Sequence, residues 1–297
     1  MIGEREPFSE QAESFRWWFL PSWLGMDAPC VVLTWTWAIS QSSDSTLSFR
    51  PAAAMVLVVW SIYLLDRLID VALCSDWQKA TGRLRFGRRY RPLFLSCFSF
   101  CILGIGALLL AGLPVEVITR AVSVALGLTL HFLVFVVPVF LRKKLPGKEF
   151  GVGLFFAFGA WACLGYTEGM LPLLISIGLV VAFNCLIIAA KDAESDRVND
   201  PGGASQWWRT MKRDLTWCGV ALTTAFAAAA ILAWETTFYI SIATAFLGLT
   251  VLHRSAQRLS GDAVRALADF ALFTPLPAFG VVKLLLPLQP NHFISVP

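Results

Sequence analysis

The chain has 297 residues, 57% of them hydrophobic and only 15% charged, with a mean hydropathy of +0.67. A soluble domain carries about 25% charged residues, so the composition excludes an ordinary soluble fold and places the chain among polytopic membrane proteins. The formal net charge of +4 is a matter of topology, set out below, and calls for no nucleic-acid partner.

In chain order, the stretch 1–14 is polar and acid-rich, without the basic start and apolar core of a cleaved signal, so the first span is expected to be retained. "FRWWFLPSW", from Phe15 to Trp23, mixes aromatics with Arg16 as a segment at headgroup level does. Apolar runs then predict nine transmembrane helices at about 24–41, 51–71, 92–111, 115–141, 151–166, 171–191, 215–234, 238–253 and 267–288. Gly and Pro punctuate the breaks, as at Ala111, Leu145 and Asp200. Helices must dominate, because backbone polar groups in lipid have no water to satisfy them. The organisation is a cytoplasmic or interfacial segment (1–23), one all-α transmembrane domain (24–288) and a short tail (289–297).

Lys and Arg gather in alternate connections. The connections after spans two, four, six and eight carry Lys79 to Arg91, Arg142 to Lys148, Lys191 to Arg213, and Arg254, Arg258 and Arg265, against Arg50, Arg120 and Lys283 on the other side. Basic residues are retained in the cytoplasm, so the N-terminus is expected inside and the C-terminus outside. Spans two and six then end at the same face, and both ends carry acids. Span two closes with "DRLID" (Asp66, Arg67, Asp70) and span six with "KDAESDRVND" (Lys191, Asp192, Asp196, Arg197, Asp200). A spacing of four stacks side chains on one helix face. Carboxylates from two helices suit a hard divalent ion, and Mg²⁺ binds one or two of them while water and substrate phosphates complete its octahedron. The plainer alternative is that these acids pair with neighbouring arginines and face headgroups.

The two acidic stretches resemble the aspartate-rich motifs of the UbiA superfamily of intramembrane prenyltransferases. "MDAPCVVLTWTWAI" from Met26 is similar to that family's first helix, and "NCLIIAAKDAESDR" from Asn184 to its sixth. The resemblance implies nine helices around a central cavity in a multi-pass integral membrane protein. It implies Mg²⁺ held by Asp66, Asp70, Asp192, Asp196 and Asp200, and an isoprenyl diphosphate donor contacted by Arg67, Lys144, Lys148, Lys191 and Arg197. Asp27, Tyr63 and Asn184 would lie in the cavity. The reaction implied is Mg²⁺-dependent transfer of the prenyl group to a lipophilic, aromatic acceptor, with the first four aspartates catalytic and membrane lipid as the surroundings. Where the family begins its first motif with Asn-Asp, this chain has Ile62 and Tyr63, which leaves open fewer metals, a different donor or lost catalysis. The alternatives are a non-catalytic isoprenoid-binding or lipid-binding protein of the same fold and a cation-coupled or proton-coupled transporter.

A prenyl carbocation needs a dry, electron-rich chamber. Trp35, Trp37 and Trp60 are candidates to line one, and the connections 76–90 and 200–214 to cap its mouth. The histidines at 131, 253 and 292 have no metal spacing, and the seven cysteines form no C-x-x-C pair. The small residues of "GVGLFFAFG" at Gly151 suit close helix packing.

Overall fold

The computed structural model describes residues 17–74, 77, 80–135, 147–199 and 203–285, and every regular element among them is helical. The longer helices are α1 (Asp27–Ser42), α2 (Phe49–Leu73), α3 (Gly82–Arg89), α4 (Arg91–Leu110), α5 (Val115–Phe135) and α6 (Lys148–Leu164). They continue with α7 (Met170–Asn199), α8 (Met211–Leu232), α9 (Thr236–Ser255), α10 (Gly261–Phe270) and α11 (Pro275–Leu285).

Among the described residues seven stretches are long and apolar enough to cross a membrane: α2, α4, α5, α7, α8, α9 with the turn after it, and α10 with α11. The protein is therefore a multi-pass integral membrane protein on length and composition. The other two expected spans are helices too, but α1 has 16 residues and α6 has 17. At about 1.5 Å per residue each falls short of a roughly 30 Å hydrocarbon core. The last span differs from its expected form. It starts at Gly261 rather than near 267 and breaks at the tight turn Ala271–Phe273. Ser260 sets the start, its side-chain oxygen accepting the Ala263 N–H at 3.2 Å. Arg265, counted by sequence with a loop, consequently lies on a helix.

Helix α7 is the central column, the most buried of the candidate spans, whereas α5 stands at the periphery. α7 packs against α6, α9 and α10, and α8 pairs with α9, α2 with α4, and α1 with α2 and α6. The core around it is apolar and tight: Val31, Trp35, Ile177, Ile187, Ile242 and Phe246 are all fully buried. Small residues decide the closest crossing. A Cβ on Gly153 of α6 would collide with the Gly178 backbone oxygen of α7, so these backbones touch directly. At Gly25 a left-handed turn (φ 65°) leads into α1 with the Tyr63 side chain packed against it.

Candidate functional site

The C-terminal ends of α2 and α7, helix α3 and the N-terminal ends of α1, α6 and α10 meet at one end of the bundle. On α2, four-residue spacing puts Asp66 and Asp70 on one face, and Arg67 lies between them. Its side chain is only 7% exposed, with Nη1 3.1 Å from Asp70 and 3.6 Å from Asp66. Arg83, from the first turn of α3, approaches Asp70 at 3.7 Å. On α7, Asp192 Oδ2 accepts a hydrogen bond from Arg265 of α10, and both side chains are 11% exposed. Arg83 joins the two halves, lying within electrostatic range of Asp70, Asp192, Arg67 and Arg265 together. Burial first, and the neighbouring Arg265 and Arg67 next, pull its guanidinium down to about 9. It stays charged at neutral pH.

The structure thus brings Asp66, Arg67, Asp70 and Asp192 of the sequence-derived set into one cluster, with Lys148 of α6 within electrostatic range of Asp66. Lys191 is engaged elsewhere, its Nζ donating to the Ala256 carbonyl at 3.0 Å. Arg197 is exposed on the last turn of α7. The Asp196 side chain, Lys144 and Asp200 lie outside the described residues. Asp27, Tyr63 and Asn184 are gathered deeper, in a layer that includes Asp269.

Sequence reasoning missed Arg83, Arg265, Asp262 and Asp269 as participants. Arg83 and Arg265 looked like topological loop cations, and the N-cap signals at Thr81 and Ser260, whose side chains accept the Leu84 and Ala263 N–H groups, were what could have placed them on helices. Asp262 is buried against Gly82, and a side chain at that glycine would displace its carboxylate. Glu149, also buried, accepts the Ala204 N–H at 2.8 Å, and Gln206 Nε2 donates to the Ala193 carbonyl at 2.9 Å. These two bonds fold the segment after the second motif back onto α6 and α7. The segment after the first motif is in part helix α3, which delivers Arg83.

The aromatic expectations take a different form. Trp35 sets its edge against Phe238 and Trp37 against Phe279, while Trp60 Nε1 donates to the Leu24 carbonyl at 3.1 Å. All three pack within the helix framework. Two open hollows of about 520 and 500 Å³ flank this end, one lined by Phe150, Trp207, Trp208 and Arg209, the other by Trp77, Arg85, Arg88 and Arg89. Neither is the central cavity expected from sequence.

Whether Mg²⁺ suits these residues depends on which carboxylates are committed. Among the described residues no three His, Cys, Asp or Glu side chains come together in metal-binding array, and Asp192 is held by Arg265. Asp66 and Asp70 are 50% and 38% exposed. Asp70 is shared with Arg67 and Arg83, so Asp66 is the less committed of the two, and one or two carboxylates are what Mg²⁺ uses when phosphates and water supply its other positions. The donor set therefore fits a diphosphate-bound ion at the α2 pair and does not fit a protein-only metal centre.

These features define a polytopic helical membrane protein with a partly buried aspartate and arginine cluster at one end of its bundle. The chain matches no family model, no curated protein and no solved structure.

Proposed function

We propose that the protein is an intramembrane prenyltransferase, moving an isoprenyl group from its diphosphate to a lipophilic acceptor, in a nine-span fold of UbiA type. In this reading α1 and α6 complete the nine as short spans shielded by their neighbours, and the basic connections face the cytoplasm. The observation that supports it is Arg83, whose guanidinium lies between the acids of both motifs and next to two further arginines.

A diphosphate suits such a site because guanidinium forks bind phosphate oxygens with charge-assisted hydrogen bonds. Arg67 and Arg83 would orient the diphosphate and stabilise the charge it gains as the allylic carbon–oxygen bond breaks. Asp66 and Asp70 would hold Mg²⁺, which neutralises charge on the leaving group when bound. Asp70 also fixes Arg67, and the Arg265–Asp192 pair ties α10 to α7 behind them.

The same ion pairs favour a second reading, binding of an isoprenoid diphosphate without turnover, because Asp70 and Asp192 are already neutralised by arginines. One experiment separates the two. Purified protein in nanodiscs is titrated with geranylgeranyl diphosphate with and without Mg²⁺, and diphosphate release is followed with mixed membrane-lipid acceptors present. Transfer predicts Mg²⁺-dependent release lost in Asp66→Asn; binding alone predicts saturation without release. Absence of binding at every prenyl length sinks both.

A further inference from the structure

Inward of the arginine cluster lies a second polar layer. Asp269 follows Arg265 by one turn of α10, about 6 Å along the axis, and Asn184 precedes Asp192 by two turns of α7, about 12 Å. Asp27 enters the same layer from the first turn of α1. The Asp27 and Asp269 carboxyls face one another within hydrogen-bonding reach, and Asn184 Nδ2 donates to Asp269 Oδ1 at 3.0 Å. Asp27 Oδ1 also accepts the Ala28 N–H at 2.9 Å. A hydrogen bond between two carboxyls needs a proton on one of them, since like charges in contact do not both ionise. Asn184 is 95% buried (5% exposed), and among the described residues its Oδ1 has no hydrogen-bond partner. An amide that donates to the pair and leaves its own acceptor empty is a seat for a donor that comes from outside the chain. Tyr63 and Cys185 complete the layer, with Arg265 the cation nearest in influence on Asp269.

We propose that Asn184 and the Asp27–Asp269 pair form a second subsite, for the hydroxyl group of a lipophilic ligand such as a phenol. The hydroxyl hydrogen is held at Asn184 Oδ1, and the ionised member of the pair is the base beside it. As whole residues Asp27 and Asp269 are partly exposed, whereas Asn184 is buried. Only the last step rests on the prenyl-transfer reading. There the hydroxyl turns its hydrogen from Asn184 Oδ1 to the ionised carboxylate, the ligand O–H bond breaks and the proton passes to that carboxylate. The oxygen's electrons form the new C–O bond to the prenyl carbon, and the diphosphate departs with the electrons of the old one.

The test uses the full chain in nanodiscs without donor or Mg²⁺. Binding of a para-alkylphenol is compared with that of its methyl ether, each corrected for uptake by empty nanodiscs. The phenol is expected to bind about tenfold more tightly, and Asn184→Leu and Asp269→Asn are each expected to erase the preference. Infrared difference spectra give a reading that needs no variant: the carboxylic-acid carbonyl band of the resting protein shifts on adding phenol and not on adding ether. Equal binding of phenol and ether to the wild type overturns the proposal, as does a preference that survives both substitutions. No prenyl donor is present, so a failure here leaves the donor site standing. Loss of donor binding with the phenol preference intact removes the donor reading alone.

Discussion

Asp192 and Arg265 stand 73 positions apart in the chain and meet with both side chains 11% exposed. Removing one partner from so buried a pair leaves an uncompensated charge. Arg265→Ala is therefore expected to lower unfolding stability in nanodiscs by about 3 kcal/mol, and adding Asp192→Asn to recover most of the loss. A single variant as stable as wild type would show that the pair does not tie α10 to α7. Arg83 has the opposite role, reaching toward carboxylates of both motifs from the surface helix. Arg83→Met is expected to weaken isoprenyl diphosphate binding about tenfold or more, the loss of one charge-assisted contact. Arg85→Met, two positions on and exposed, is expected to leave binding unchanged in the same titration. Arg120 is a charge within an apolar helix, and its Nε donates to the Ala162 carbonyl at 3.1 Å, satisfying a carbonyl at the end of α6 beside the left-handed Gly165 (φ 83°). Arg120→Met is expected to cost about 1–2 kcal/mol of thermal stability and to leave donor affinity alone.

Among the elements, the α6–α7 crossing is the one with least tolerance. Gly153 meets the backbone of α7 directly, and Gly151 gives the same helix room for the His131 ring of α5. Gly153→Ala is expected to force the two helices apart at a cost of about 1–3 kcal/mol. Thermal unfolding of Gly153→Ala beside Gly159→Ala checks this, since nothing lies within 4 Å of a Cβ added at Gly159. Helix α3 is short and basic, with Arg88 stacked over Trp77 at 4.4 Å and Arg85, Arg88 and Arg89 exposed. Such a helix lies at the headgroup level, where it is held by its cations and aromatics. That position lets Arg83 on its inner face reach Asp70 while the other arginines face outward.

For the whole molecule, the apolar helices establish a membrane-spanning bundle, and the proposed orientation follows from the arginine-rich end. Single cysteines introduced at Arg88 and at Trp234, in a background free of the native seven, test it. A membrane-impermeant thiol reagent is expected to label the first only from the cytoplasmic side and the second only from the opposite side. Labelling of both from one side would reverse or dismantle the proposed topology. The asymmetry matters for the proposed transfer as well, in which a charged donor arrives from water and an apolar acceptor from lipid. A cluster at the bundle end, with the proposed hydroxyl subsite one to two turns deeper, presents its two layers in that order.

That the chain is helical and membrane-spanning, roughly where each helix lies, and that α2 and α7 end in acids are all legible along the chain. Those properties are local: apolar run length and four-residue spacing are written along the chain and need no partner to be read. The small residues at Gly151 and Gly153 likewise marked a close crossing before any packing was known. What the acids touch is set by packing between distant helices. Arg83 and Arg265 are indistinguishable in sequence from cations that merely obey the orientation bias, and Asp269 looks like any acid near a helix end. Their roles arise from contacts across 73 residues for Asp192–Arg265 and 85 residues for Asn184–Asp269. Such pairings are fixed by how α10 packs against α7, and a side chain's charge carries no record of the helix it will face.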